Sequence, residues 1–134
     1  MPFLNYLADT NAISDRLKRV PAVVDWFAAH PGEIGISTIT LAEIRRGIEL
    51  LPAGKQRRDL ERAYRFILED YAGAIFAFDE SAAFEWGKLM AGCQGNLPPY
   101  DDSIIGAIAN SCGMKVLTRN TKHFPGSDTV NPHG

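Results

Sequence analysis

Short apolar runs alternate with longer amphipathic stretches along the whole chain. "FLNYLA", "IGIS", "AIFAF" and "KVLT" are too short for helices and predict buried strands. The intervening segments carry helical signals. "DTNAISDRLK" predicts a turn and a short helix, and Pro21 opens "PAVVDWFAAH" in the first-turn position that proline favours. "TITLAEIRRGIELL" places Ile44, Ile48 and Leu51 on one side and is ended by Pro52 and Gly54. From Gln56 to Tyr71, Leu60, Tyr64, Ile67, Leu68 and Tyr71 recur among charges as on an amphipathic helix. "DESAAFEWGKLMAG" is a helix capped by Asp79, and "DDSIIGAIANSCG" a helix stopped by Gly113. "CQGNLPPY" and "RNTKHFPG" are loops, and "DTVNP" offers a last strand. With no repeat, linker or low-complexity tract, the pattern predicts one α/β domain over residues 1–134. Its central, mostly parallel sheet of four to five strands lies between layers of helices.

Composition narrows what such a domain can be. At 134 residues the chain buries a core without disulfide or zinc staples. Cys93 and Cys112 are not spaced as a CxxC pair and have no histidine nearby, so Cys112 reads as a buried thiol. His30, His123 and His133 are scattered and read as structural or surface residues. No apolar run approaches the roughly 18 residues of a membrane span, and "MPFLNYLADT" lacks the basic start and long apolar stretch of a secretion signal. A cytoplasmic protein is expected. Fourteen basic against sixteen acidic residues give a net charge of −2 and a pI near 5.9, so no global basic field draws the chain to nucleic acid. The local basic groups read as solvated helix faces or local phosphate contacts: Arg16, Lys18 and Arg19; Arg45 and Arg46; Lys55, Arg57 and Arg58; Arg62 and Arg65; Arg119 and Lys122.

In an open parallel sheet the site lies at the carboxyl ends of the strands. The residues there are Asp9, Asp79, Arg119 and Asn120, joined by Glu43 and the pair Asp101 and Asp102 in helices that begin at the same edge. Asp79 is set aside as an N-cap. Glu43 has two readings: Thr40 to Glu43 matches a capping box, whereas a cap at Thr38 would free Glu43 to project from the second turn. Helical offsets divide the aspartate pair. Asp101 lines up with Ile104, Ile105 and Ile108 and reads as the N-cap, while Asp102 shares a stripe with Gly106 and Ala109 that lets backbone or a ligand come close.

Several acids at one edge repel one another and raise each other's pKa unless a counter-charge joins them. A hard divalent cation answers this. Magnesium takes oxygen ligands and keeps several waters, which suits two or three carboxylates and the Asn120 amide. Such an ion activates water and neutralises charge on a scissile phosphate, so the implied chemistry is phosphodiester hydrolysis.

Four stretches in order, "YLADTNAIS", "STITLAEIRRGIELLPAGKQR", "DSIIGAIA" and "VLTRNTKHF", together covering nearly the whole chain, carry a resemblance. The sequence resembles PIN-domain ribonucleases of the VapC and FitB type, the toxin half of bacterial toxin–antitoxin pairs. The resemblance implies a PIN-like α/β/α sandwich. It also implies an acidic core of Asp9, Glu43 and Asp102, with Asp9 and Asp102 the direct magnesium ligands, Asn120 the fourth position, and Thr10, Asn11 and Thr118 supporting hydrogen-bonders. Manganese is expected to substitute for magnesium. His123 departs from the pattern, since many relatives have an acid there; this bears on whether a second metal is held.

The implied partners are RNA as substrate, a VapB- or FitA-like antitoxin, DNA only through that antitoxin, and a second copy of the chain, with apolar parts of the Gln56–Tyr71 helix contributing. An antitoxin arginine could enter the acidic pocket and exclude magnesium. Two other classes are weighed. A phosphoacceptor receiver needs an adjacent acidic pair after its first strand, and "LADTN" has one acid. A catalytically weak PIN-fold binding protein, regulating its operon with a DNA-binding partner, would be signalled by loss of Asp9, Glu43 or Asp102, and all three are present.

Overall fold

The computed structural model describes residues 4–134. Phe3, at the start of the first expected strand, lies outside the described residues. The strands are β1 (Tyr6–Ala8), β2 (Ile34–Ser37), β3 (Ile75–Phe76), β4 (Lys115–Leu117) and β5 (Thr129–Val130), and the helices are α1 (Thr10–Leu17), α2 (Pro21–Ala29), α3 (Thr38–Glu49), α4 (Lys55–Asp70), α5 (Glu80–Gly92) and α6 (Tyr100–Ser111). The sheet runs β3-β2-β1-β4-β5 and every pairing is parallel. "DTVNP" does supply the fifth strand.

Alternation within the strands sorts side chains to two faces. Ala8 and Leu117 join Ile13, Phe27, Ile36 and Ile67 in a core beneath α1, α2 and α4. Their neighbours Leu7 and Val116 point the other way, to Ile105, Ile108, Ala109 and Phe124 under α5 and α6. A strand covered on both faces reads as a continuous apolar run, which is why these strands lack polar alternation.

Local chemistry sets the helix limits. Pro21 occupies the first turn of α2, Asp79 caps α5 by accepting from the Ala82 amide at 2.9 Å, and Gly113, at φ +68°, takes the left-handed position beyond a helix end. Arg16 of α1 sits against the rings of Phe27, Phe66 and Tyr71 and donates to Asp70 and to the Tyr71 hydroxyl, tying α1 to α2 and α4. Arg45 links α3 to Glu61 of α4 at 2.8 Å. Such ion pairs answer much of the basic clustering as solvated faces.

Two expectations are corrected. Cys112 is exposed, because it lies just past the last residue of α6, where the chain turns away from the core through Gly113. Asp101 is not the N-cap of α6. That helix starts at Tyr100, its cap position is Pro99 with φ −52°, and no side chain caps it. The proline ring pre-sets the helical φ, so the chain turns in ahead of the aspartates and the Ser103 amide closes on the Pro99 carbonyl at 2.9 Å.

Candidate active site

The strand order places β1 at the centre, with the chain leaving it toward β2 and β3 and returning on its other side as β4 and β5. The reversal between β1 and β4 opens a crevice at their carboxyl ends, the position where parallel sheets hold ligands. Asp9 comes directly after β1, and its amide donates to the Leu117 carbonyl of β4 at 3.0 Å. Its side chain is buried, and Oδ1 accepts from the Ala12 amide at 2.8 Å. Asp9 is therefore the N-cap of α1 as well as a candidate site acid. Burial pushes its carboxyl up; hydrogen bonds from Thr118 and Ala12 and the charge of Arg119 pull it partly back.

Glu43 reaches this crevice from α3. Neither expected cap is found: Ser37, the last residue of β2, caps α3, its Oγ accepting from the Thr40 amide at 3.2 Å. Glu43 is thus free to project from the second turn. There Thr10 donates to its Oε1 at 2.6 Å, and Thr10 in turn lies 3.1 Å from the Thr40 hydroxyl. Burial, a hydrogen bond with Asp101 and the charges of Asp101 and Asp102 push the Glu43 carboxyl up to about 7, against the lowering bond from Thr10.

Asp102, in the first turn of α6, also has its carboxyl raised. Burial is the main cause, with the charge of Asp101 second; a bond from His123 offsets part of this, and the charge of Asp9 adds to it. Nδ1 of His123 lies 2.9 Å from Asp102 Oδ2. Glu43 thus feels the charges of Asp101 and Asp102, and Asp102 those of Asp101 and Asp9. These acids do not close into a cage: among the described residues no three His, Cys, Asp or Glu side chains converge closely enough to hold an ion by themselves. The stripe of Gly106 and Ala109 is buried, and Gly106 faces the side chains of Ser127, Phe124 and Leu89.

The other expected residues stand around this group. Thr118 is fully buried, its hydroxyl accepts from the Asn120 amide at 2.9 Å, and its presence beside Asp9 helps to lower that carboxyl. Asn120 stands at the rim, half-buried. Asn11, half-buried in the first turn of α1, makes no side-chain hydrogen bond among the described residues. The sequence reading missed Ser37, Thr40 and His123 as supports, and Asp101 as a member of the acidic group. A serine directly before a helix was a legible signal for the first; the others depend on which loops meet.

A PIN-domain model matches residues 6–125. The chain belongs to the PIN-domain family. Toxin FitB of Neisseria gonorrhoeae is 37% identical to this PIN domain over 130 residues, covering 92% of this chain and 94% of FitB. The VapC ribonuclease Y4jK of Sinorhizobium fredii is 37% identical over 132 residues, covering 92% and 94%. Among solved structures, FitAB bound to an IR36 DNA fragment superposes with a TM-score of 0.87 at 33% identity over 96% of each chain. The α/β/α architecture expected of a PIN domain is the one observed.

Proposed function

We propose that this PIN domain is a magnesium-dependent endoribonuclease acting as the toxin of a type II toxin–antitoxin module. The observation that carries the reading is the placement of three acids about the β1/β4 edge, Asp9 directly after β1, Glu43 held by Thr10 beside it and Asp102 in the first turn of α6, each carboxyl raised chiefly by burial. An all-oxygen donor set under mutual repulsion suits a hard divalent cation, and the absence of a closed protein cage suits one that keeps several waters. Asp9 and Asp102 would hold magnesium directly, with Glu43 beside them and the Asn120 amide at the rim; manganese would substitute. When bound, the ion supplies the positive charge that relieves these carboxylates and stabilises charge developing on the scissile phosphate.

The chain's own groups do the rest. Glu43, held by Thr10, is placed to take a proton from the water that attacks phosphorus, as the bond from phosphorus to the leaving ribose oxygen breaks and that oxygen takes up a proton from solvent. Thr10 orients Glu43, the Ala12 amide and Thr118 orient Asp9, and His123 orients Asp102. Such supporting bonds set the direction in which a carboxylate presents its free oxygen. Asn11 completes the first turn of α1 beside Thr10.

The names of the relatives, a VapC ribonuclease and the toxin FitB, and the FitAB assembly on DNA support the same reading. On it, the partner is a VapB- or FitA-like antitoxin, and DNA is reached only through that antitoxin, consistent with a toxin of net charge −2. The protein is cytoplasmic, and residues 1–134 form a single domain that pairs with a second copy. Phe66 and Leu68 of α4 are exposed and contribute to these contacts. Among the described residues no helix is long and apolar enough to cross a membrane.

The test uses the purified chain freed of any partner. RNA should be cut with magnesium or manganese present and left intact in excess chelator. Undiminished cleavage in chelator overturns the metal mechanism. In cells, growth arrest with the chain expressed alone, relieved by the product of a short reading frame expected beside its gene, tests the toxin assignment.

A further inference from the structure

We propose that Arg119 anchors a phosphate of the RNA beside the scissile one, through a guanidinium held in place by buried Asp15. The inference rests on the ribonuclease reading and adds to it a binding residue outside the acidic group. Arg119 leaves β4 at the carboxyl edge, directly before Asn120. Its Nη1 donates to both carboxylate oxygens of Asp15 on α1, at 3.1 and 3.0 Å. The Asp15 side chain is 7% exposed and that of Arg119 47%. One part of the guanidinium is thus fixed to a buried partner while about half of the side chain stays open to solvent. The Asp9 amide donates to the Leu117 carbonyl at 3.0 Å, two residues before Arg119, so the cation leaves β4 at the edge where Asp9 leaves β1.

The chemistry of the crevice calls for such a group. Asp9, Glu43, Asp101 and Asp102 make it acidic, and RNA is a polyanion that such a surface repels. A fixed cation at the rim attracts the backbone without competing with a metal for the carboxylates. A guanidinium matches a phosphate through parallel N–H bonds, and a side chain already held by Asp15 loses less freedom on binding than a mobile one. Lys122, on the 3-10 turn Thr121–His123, is exposed and has no ion-pair partner among the described residues. His133 is the other basic group facing Asp15, its Nε2 4.0 Å from Oδ2; it shares that carboxylate without displacing Arg119.

A purely structural role for Arg119, neutralising Asp15, makes different predictions. Arg119→Ala alone strands a buried carboxylate, so the informative variant is the double Asp15→Asn with Arg119→Ala, which removes both charges. Binding of the full chain to a short fluorescent single-stranded RNA is measured by anisotropy in chelator across a salt series, with thermal melting as the check on folding and steady-state cleavage in magnesium as a second readout. The double variant should bind about tenfold more weakly, its salt slope should be shallower by about 0.7, the share of one single-strand phosphate contact, and KM should rise more than kcat falls. A folded double variant with unchanged affinity and slope overturns the proposal. If the double variant does not fold, Arg119→Lys, which keeps the charge but not the fork, should lose affinity at unchanged slope, and unchanged affinity overturns it equally. A wild-type chain that neither binds nor cuts RNA overturns the ribonuclease reading and this inference with it; intact wild-type behaviour beside an unaffected variant overturns only the assignment of Arg119.

Discussion

Asp9 has two duties that a single substitution can separate. As N-cap it satisfies the Ala12 amide at 2.8 Å, and as a buried acid it faces the crevice. Asparagine caps a helix about as well as aspartate, whereas alanine loses about 0.5–2 kcal/mol at such a position. Asp9→Asn should therefore abolish cleavage with little change in stability, and Asp9→Ala should abolish it and also melt lower in chelator. Equal melting of the two would show that the cap contributes nothing. The neighbouring aspartates give a second residue-scale test. Asp101 is not the N-cap, its Oδ1 accepting only from the adjacent Asp102 amide at 3.1 Å, and its charge raises both Glu43 and Asp102, so Asp101→Asn, which keeps an accepting oxygen, should leave the metal-free protein as stable as before or more so. Asp102→Asn should do the same and stop cleavage. A loss of cap size on changing Asp101, read by denaturant unfolding, would contradict the observed start of α6.

At the scale of elements, α3 joins the sheet to the site through one short chain of hydroxyls. Ser37 caps α3 through Thr40, Thr40 meets Thr10, and Thr10 holds Glu43. Ser37→Ala should lower stability by about 1 kcal/mol as a lost cap and reduce kcat as well, because the start of α3 loosens beneath Glu43; a stability loss with full kcat would break that connection. The sheet offers a sharper steric test. A Cβ on Gly35 would lie 2.7 Å from a Phe76 ring carbon and 3.0 Å from the Ala74 carbonyl oxygen, so β3 can approach β2 only because that side chain is absent. Gly35→Ala should cost about 1–3 kcal/mol as overpacking, seen as a lower denaturant midpoint, and a neutral result would mean that the β2/β3 pairing is more pliable than its geometry indicates.

For the whole molecule, the raised carboxyls invert the usual response to acid. Where a folded-state pKa lies above the unfolded one, the native protein holds more protons than the unfolded chain between the two values, and stability falls as pH rises through that window. For Glu43 the window runs from its ordinary 4.5 to about 7, and Asp9 and Asp102 shift in the same direction. Metal-free protein should melt higher near about pH 5 than near about pH 8. Magnesium should narrow or reverse that difference, acting mainly at the higher pH where the carboxylates are ionised and repel. Thermal melts across pH, with chelator and with magnesium, decide this. A metal-free protein that gains stability steadily from about pH 5 to 8 would mean that the acids do not crowd as the structure places them.

The elements and their class were legible in the chain alone. Buried strands with apolar neighbours on both faces and helices with one apolar stripe write their periods directly into the sequence, and Pro21 and Asp79 mark helix starts through local geometry. The sequence also marked Asp9 as the acid directly after a strand, while Glu43 kept two readings and helical offsets only leaned toward Asp102, so that the set of three came from the resemblance to PIN domains. Which residues meet across the carboxyl edge of the sheet depends on the folded arrangement. The duty of Asp101 depends on Pro99 turning the chain before it, the anchoring of Glu43 on Thr10 arriving from α1, and the bond of His123 to Asp102 on a loop 21 residues away. The pairing of Arg119 with Asp15 spans 104 residues. Local periodicity reports what a residue's own backbone demands, but hydrogen bonds and charges between distant loops exist only once the sheet has brought those loops within a few ångströms.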